Sequence, residues 1–330
     1  MLDALRKPIA VLLLQLGSPD DAGVTAVRRY LREFLSDPRV IELPRWKWYP
    51  ILYGIVLQRR PAQSAAKYQL IWDKEKGFPL KYYTQRQAEE LQKRLGDHFL
   101  VRYAMRYGTP AIAPVVAELC AQQVEKLIAV PLYPQYSATT TASALDALFQ
   151  ILMRQRAVPA LRVVPPFYQH PAYVSAECQV IRETLATLPQ PPEKVIFSFH
   201  GIPQRYADAG DPYPQHVETT VSRLAAECGF LPGQYTLAYQ SRFGREEWLK
   251  PYTDELLLQM ARQGVKRVLV ITPGFVTDCL ETIDEIGREA RHIFQQAGGQ
   301  ELYRCHCLND HPVWIEALQR IVLEESAGWL

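Results

Sequence analysis

Hydrophobic positions along this chain fall into two alternating rhythms. Short runs rich in β-branched residues and leucine occur at positions 9–15, 99–105, 126–132, 161–164, 194–199, 235–239, 266–271 and 301–304, and they read as strands. Between them, apolar residues recur with helical spacing at 24–35, 84–95, 110–122, 142–155, 216–226, 251–262 and 278–296. Strand, helix, strand in repetition predicts parallel sheets covered by helices. At 330 residues the chain is long enough for two such domains. The boundary is expected at Pro165-Pro166, giving domains 1–165 and 166–330, with the last helix packing back on the first. An internal echo supports similar halves: Lys126-x-Ile-x-Val130 followed by Pro134-x-Tyr136, and Lys266-x-Val-x-Val270 followed by Pro273-x-Phe275. The fold class is therefore α/β, two similar Rossmann-like doubly wound domains.

In such folds ligands sit in loops that leave the carboxyl ends of strands. Those loops are 16–21, 131–141, 200–214, 240–248 and 272–281. None carries Gly-x-Gly-x-x-Gly or a Walker-type Gly-Lys-Ser/Thr, so no nucleotide cofactor is expected. Composition adds to the picture. There are 25 prolines, where average usage gives about 16, together with 18 tyrosines, 11 phenylalanines and 6 tryptophans. Many of these prolines follow the strands, and many tyrosines lie in the same loops, which suits a walled pocket and excludes a simple helical bundle. Lys and Arg number 37 against 35 Asp and Glu, a net charge of +2, which argues against a nucleic-acid partner. The six cysteines are scattered, without a disulfide framework, and suit a reducing compartment. Residues 1–8 mix acid and base ahead of the first apolar run, so no targeting segment is expected.

One stretch stands apart. Trp48 to Leu57 is apolar and aromatic, with Arg45 and Lys47 before it and Arg59 and Arg60 after it. It is too short to span a bilayer. It reads either as a core helix or as an exposed lip leaning on a membrane interface.

Three constellations carry chemistry. His200 ends the apolar run Phe197-Ser-Phe199 and is followed by Gly201-Ile-Pro203, which sets an imidazole at the edge of a sheet. There it can bind a metal or accept a proton, or serve as a hydrogen-bonded structural histidine. On an α-helix, Glu281, Glu285 and Glu289 share one face. They suit a divalent cation in transit, and the alternative is helix-end electrostatics with Arg288 screening the acids. Arg59, Arg60, Tyr68, Arg106, Tyr107, Tyr133, Tyr136, Tyr213 and Trp248 form the third set. Flat rings with scattered guanidinium groups suit a large planar ligand bearing carboxylates. Cys305-His306-Cys307 is short of four ligands and reads as structural.

These residues resemble the ferrochelatases, which insert ferrous iron into a porphyrin as the terminal step of haem biosynthesis. The resemblance runs from the first strand to the last helix. Its most specific pieces are Leu132-Tyr-Pro-Gln-Tyr-Ser137, Ser198-Phe-His-Gly-Ile-Pro203, Gly210-Asp-Pro-Tyr-Pro-Gln215, Tyr239-Gln-Ser-Arg-Phe-Gly244 with Trp248, and Asp278-x-x-Glu-Thr-x-x-Glu285. It implies the chelatase fold: two four-stranded parallel-sheet domains with the porphyrin between them. It implies His200 and Glu281 as the metal- and proton-handling pair, with Glu285 and Glu289 continuing the acidic line. It places Leu16, Arg106, Tyr107, Tyr133, Ser137, Tyr213 and Trp248 at pocket positions. Trp48–Leu57 with Arg59, Arg60 and Tyr68 is similar to the family's membrane-contacting lip.

The chain also departs from relatives. Ala138 stands where members with an iron–sulfur cluster have cysteine, and its last residues carry no cysteine trio, so no cluster is expected. Phe78 stands where many members have a serine near a propionate, and Gln63 where some have a lysine. Leu16 is not the tyrosine of some coproporphyrin-using members, which favours protoporphyrin IX. No permanently bound cofactor is implied; Fe²⁺ and porphyrin are substrates. A cytoplasmic location is implied, peripheral on the inner face of the membrane, with neighbouring haem-pathway enzymes as partners. The rival readings are a coproporphyrin ferrochelatase, a cobaltochelatase of similar fold and a non-enzymatic tetrapyrrole carrier.

Overall fold

The structure is a computed structural model that describes residues 7–244 and 246–330. The opening six residues, part of the mixed-charge start, lie outside the described residues. All eight expected strands form, as β1 Ile9–Gln15, β2 Phe99–Met105, β3 Lys126–Pro131, β4 Ala160–Val163, β5 Lys194–His200, β6 Tyr235–Gln240, β7 Arg267–Ile271 and β8 Glu301–Arg304. They build two four-stranded parallel sheets with matching strand orders, β2-β1-β3-β4 and β6-β5-β7-β8. The architecture is thus the doubly wound α/β fold that the sequence rhythm predicts.

Burial explains which strands are central. Every residue of β1, Ile-Ala-Val-Leu-Leu-Leu-Gln, is buried, as is Val195–Phe199 of β5, because helices cover both faces. At one edge of each sheet, β4 and β8 are only four residues long and half exposed, whereas β2 and β6 form the longer opposite edges. On one face of the first sheet, Leu12, Leu14, Leu127 and Ala129 pack against Val116, Leu119, Leu148 and Leu152. These come from α5 Ile112–Ala121 and α6 Ser143–Leu152. On the second sheet, Ile196, Val268 and Val270 pack with Leu257 of α10 Thr253–Arg262 and Phe294 of α11 Arg291–Gln296. Each such leucine or phenylalanine contributes about 1.5–3 kcal/mol by leaving water.

The chain divides into two compact units. One comprises the chain through Tyr133, Ser137–Pro165 and Ile315–Leu330; the other comprises Pro134–Tyr136 and Pro166–Trp314. The closing segment is tied to the first unit through backbone carbonyls. Lys126 Nζ donates to Trp329 O at 2.7 Å, Arg162 to Glu325 O at 2.5 Å, and Gln319 to Arg94 O at 2.9 Å.

Three corrections to the sequence reading matter for the site. First, residues 45–71 are helical throughout, as α2 Arg45–Ile51, a π-helical segment Leu52–Val56 and α3 Leu57–Ile71. Neither reading of 48–57 fits alone. Leu52 and Leu57 are buried and the Trp48 indole donates to Leu35 O at 2.6 Å, while Ile51, Tyr53 and Ile55, and Trp46 before the stretch, face outward. Second, residues 138–142 and 281–290 are π-helical, so the acidic residues at 281, 285 and 289 do not sit on an α-helix. Third, the structure pairs Cys178 with Cys228 as a disulfide, whereas Cys120, Cys279, Cys305 and Cys307 are free. Cys178 lies on α7 Pro171–Thr187, a helix absent from the sequence reading, and Cys228 ends α9 Tyr213–Cys228. Among the described residues no helix is long and apolar enough to cross a membrane.

Candidate active site

Polar side chains gather at the carboxyl ends of the strands in each unit. In the second unit β5 ends at His200, with β6 ending beside it at Gln240 in parallel register. His200 is half-buried, and its Nδ1 lies 2.7 Å from the carbonyl oxygen of Gly201. A carbonyl can only accept, so Nδ1 carries a proton, and in the neutral imidazole Nε2 keeps its lone pair. No hydrogen bond engages Nε2 among the described residues. The Tyr213 hydroxyl donates to the carbonyl of His200 itself at 3.0 Å. Burial lifts the Tyr213 hydroxyl far above the ordinary phenol value, so it remains a donor at any working pH. The Trp248 ring lies 6.3 Å from the imidazole, and its indole N–H is buried without a partner.

Gly201 makes this crowding possible. A Cβ there would stand 3.1 Å from Trp248 Cε3 and 3.2 Å from the carbonyl of Gln240. Behind it, Ser198 Oγ donates to Gln240 Oε1 at 2.8 Å, and Gln240 Nε2 donates to the carbonyl of Glu281 at 3.2 Å. Gln240 therefore ties the end of β6 to the first residue of the acidic segment.

That segment opens on a rigid anchor. Asp278 is buried and accepts from Arg304 at 2.5 Å, Thr282 at 2.7 Å and Asn309 at 2.8 Å. Burial alone would raise its carboxyl, but these partners and His306 hold it well below the usual range. From there the π-helical turn, one residue wider than an α-turn, turns Thr282, Asp284, Ile286 and Ala290 inward and leaves Glu281, Glu285 and Glu289 half-buried.

The three glutamates are not equivalent. Glu285 is held by Ser241, whose backbone N–H donates at 2.7 Å and whose hydroxyl donates at 2.6 Å. Ser241 adopts a left-handed backbone (φ 67°), which turns both donors toward that carboxylate. Burial pushes the Glu285 carboxyl up and the Glu281 charge adds to this, against pulls from Ser241 and from His200. His200, Glu281 and Glu285 thus share one electrostatic neighbourhood. The Cys279 thiol lies against Glu281; burial, followed by that charge, keeps it protonated. Glu289 pairs with Arg288 at 3.2 Å, and Arg288 also holds Asp284 at 2.5 Å. Arg288 thus screens Asp284 and Glu289, not Glu285. Among the described residues, no three His, Cys, Asp or Glu side chains form a closed metal cage, and Cys305 and Cys307 are buried free thiols.

The first unit assembles a different corner. Leu16 follows β1, half-buried, and its carbonyl accepts the Tyr107 N–H at 2.9 Å. Gly17 comes next with φ 106°, and a Cβ there would strike the Tyr107 carbonyl oxygen. Arg106 follows β2. Its Nε donates to Ser143 Oγ at 2.8 Å and its Nη2 to Asp37. Tyr107 is fully buried, with its hydroxyl 2.8 Å from Asp37 and 3.0 Å from Ser143. It therefore supports Arg106 from within the core. Tyr133, after β3, is half-buried with its hydroxyl sealed from solvent and unpartnered. Ser137 is also enclosed, its hydroxyl capping the π-helical turn at Thr139 N, 3.2 Å away. Tyr68 packs edge-on against Phe78 and Tyr30, so Phe78 belongs to an aromatic core. Arg60, on the same helix as Tyr68, feels its phenol, and burial draws the guanidinium value down. Asp37, Ser143, Gln240 and Ser241 were not singled out by the sequence reading; the Tyr239-Gln-Ser motif holds the latter two, whereas no local signal marks Asp37 or Ser143.

Set beside known structures, the fold is that of the chelatases. The sirohydrochlorin chelatase SirB from Bacillus subtilis subspecies spizizenii in complex with cobalt superposes with a TM-score of 0.56 at 13% identity, covering 98% of this chain and 97% of that one. SirB from Bacillus subtilis with Fe3+ gives 0.55 at 14% identity, covering 98% and 97%. Sequence comparison narrows the class. A family model described as Ferrochelatase matches residues 8–326. The chain is 48% identical over 325 residues to the ferrochelatase of Mesorhizobium japonicum, covering 98% of this chain and 92% of the relative. It is 45% identical over 328 residues to that of Bradyrhizobium diazoefficiens, covering 98% and 95%. The chain belongs to the ferrochelatase family.

Proposed function

We propose that this chain is an enzyme, a lyase, that inserts Fe²⁺ into protoporphyrin IX to form protohaem, the terminal step of haem biosynthesis. The observation that carries this reading is His200, whose Nδ1–H is committed to Gly201 while Nε2 stays free beside Glu281 and Glu285. Insertion forms iron–nitrogen bonds and releases both pyrrole protons. A free imidazole nitrogen and a half-buried carboxylate supply what that needs, a proton acceptor and an oxygen or nitrogen donor for the incoming metal. His200 and Glu281 share proton acceptance and iron delivery. Glu285 and Glu289 extend the acidic line along which iron arrives. An incomplete ligand shell fits a metal that is handed on.

Arg106, Tyr133, Ser137, Leu16, Arg60 and Tyr68 form the porphyrin-binding side in this reading, with Tyr213 and Trp248 flanking the imidazole. Binding energy from the ring and its carboxylates bends the macrocycle by about 1–5 kcal/mol of strain and turns pyrrole lone pairs toward the metal. No resident cofactor and no iron–sulfur cluster take part. The outward residues Trp46, Ile51, Tyr53 and Ile55, with Arg45, Lys47 and Arg59, lean on the inner face of the cytoplasmic membrane, where neighbouring pathway enzymes exchange tetrapyrroles.

Anaerobic insertion of Fe²⁺ and Co²⁺ into protoporphyrin, coproporphyrin and sirohydrochlorin, followed by absorbance, tests the assignment. Iron into protoporphyrin is expected to be fastest. A preference for coproporphyrin, for cobalt into sirohydrochlorin, or binding without insertion points to the rival readings.

A further inference from the structure

We propose that His216 is a positioning residue for porphyrin binding: its neutral imidazole clasps the strap Pro134-Gln-Tyr136, and acid opens the clasp. The strap follows β3 in the chain, yet it packs with the second unit. Each strap residue makes a hydrogen bond there. The Pro134 carbonyl accepts the Tyr168 N–H at 3.0 Å, and the buried Gln135 side chain donates from Nε2 to Thr220 Oγ1 at 2.9 Å. The Tyr136 N–H donates to His216 Nδ1 at 3.1 Å. Tyr213, His216 and Thr220 recur with helical spacing on α9, so one face of that helix carries them. The Tyr213 hydroxyl holds the carbonyl of His200 at 3.0 Å. The same helix face therefore fixes the strap and the backbone of His200.

Only the neutral form of His216 can serve. A backbone N–H donates, so Nδ1 must offer a lone pair while Nε2 carries the proton. The Tyr168 ring stacks on the imidazole, with centroids 4.1 Å apart and planes inclined by 16°, which fixes the direction of that lone pair. The Thr220 hydroxyl donates to the His216 carbonyl at 2.7 Å, which leaves its oxygen to accept from Gln135. Burial draws the imidazole below its ordinary value, against an opposite pull from the charge of Asp211, ahead of α9. Protonation would set an Nδ1–H against the Tyr136 N–H, two donors facing each other without an acceptor. The clasp is therefore closed at neutral pH and opens as pH falls through that lowered value. The bonds at Pro134 and Gln135 do not titrate, so opening loosens the strap at Tyr136 without detaching it. The proposal rests on the reading of the chain as a ferrochelatase, in which Tyr133 and Ser137, flanking the strap, belong to the porphyrin-binding side.

The test compares full-length wild type, His216→Asn and His216→Leu. Asparagine keeps an acceptor oxygen near the position of Nδ1 and does not titrate, whereas leucine offers no acceptor. Fluorescence-detected binding of detergent-dispersed protoporphyrin IX and its anaerobic steady-state metallation by Fe²⁺ are followed from about pH 5.5 to about pH 8. At neutral pH His216→Leu is expected to raise Kd and KM about fivefold with kcat within about twofold, and His216→Asn to stay within about twofold of wild type. Towards the acid end, wild type should lose about threefold to fivefold more affinity than His216→Asn. Wild-type affinity in His216→Leu, a His216→Asn protein as impaired as His216→Leu, or matching pH profiles in wild type and His216→Asn overturns the proposal. Long-range ¹H–¹⁵N spectra of histidine-labelled protein, with the His216 signal assigned by its loss in His216→Asn, should show Nδ1 unprotonated at neutral pH; a protonated Nδ1 contradicts the clasp. If His216→Leu does not fold by circular dichroism, the wild-type and His216→Asn profiles and that spectrum carry the test. A wild type that inserts no iron into any porphyrin removes the underlying reading instead, while the spectrum still decides the clasp.

Discussion

At the carboxyl edge of the first sheet, Asp37 accepts from Arg106, Tyr107, Ser143 and the Arg39 backbone, and Arg106 keeps a donor edge left over among the described residues. At the same edge of the second sheet, His200 keeps a lone pair and Glu285 is pushed up by burial and by Glu281. The strand orders match, so topology does not separate the two corners. Chemistry does. The first corner engages its acceptors and leaves donors over; the second leaves an imidazole nitrogen and half-buried carboxylates as acceptors. Buried carboxylates elsewhere repeat the lesson. Asp37 is held below the ordinary range against the cost of burial, by Ser143, Arg106, the Arg39 backbone and Tyr107. Glu177, in the second unit, is pushed up to about 8 by burial, with Tyr173 pulling the other way.

The contrast can be strained in order of expected effect. Glu281→Gln should lower kcat for iron insertion by about 10²–10⁴, the range for losing a positioned acid–base group. Porphyrin affinity, measured by fluorescence titration, should change less than about twofold. A large loss of affinity with intact kcat would erase the division between corners.

Glu177→Gln should stabilise the protein at alkaline pH. The folded carboxyl lies near 8 and the unfolded one near its ordinary 4.5, so the folded state holds the proton more tightly. The resulting stability is complete below about 4.5 and is lost as pH rises through about 8. At pH 9 the neutral amide should therefore exceed wild type by on the order of 5 kcal/mol at most, with the two converging near pH 5. Asp37→Asn should go the other way, losing stability above the unfolded carboxyl value. Urea titrations at several pH values read both slopes, and parallel curves would contradict the account.

Gly201→Val should cost about tenfold to a hundredfold in kcat by displacing Trp248 and Gln240 around His200, with melting temperature moved by only a few degrees. The smallest effect is expected at the lip. Trp46→Glu with Ile55→Glu should weaken co-sedimentation with anionic vesicles severalfold without altering insertion of detergent-dispersed porphyrin. Trp48 is a poorer probe, because its indole is pinned to Leu35.

Much of the fold is legible along the chain because buried parallel strands need continuous apolar runs, and all eight such runs are present. The helices that escaped reading have physical reasons for doing so. Residues 45–71 contain Pro50 and Pro61, which usually end helices, and α7 begins at His170-Pro171 and is covered on more than one side. The π-helical segments were invisible because residues four apart share a face in an α-helix, and nothing local announces the wider turn. His200 and Glu281 could be found because strand ends and acidic spacing are local patterns. Asp37 and Ser143 could not, since their meaning lies in contacts made 69 and 37 residues away with Arg106. Ser241 required a left-handed backbone that a serine does not advertise.

The proposed function assigns reaction to the second unit's corner and binding to the first unit's. Anaerobic stopped-flow absorbance of Fe²⁺ insertion, run on His200→Ala and Arg106→Gln beside wild type, tests it most directly. His200→Ala is predicted to lose at least about a hundredfold in the insertion step with porphyrin affinity retained, and Arg106→Gln to lose affinity with the insertion step retained. A His200→Ala protein that inserts iron at the wild-type rate would contradict it.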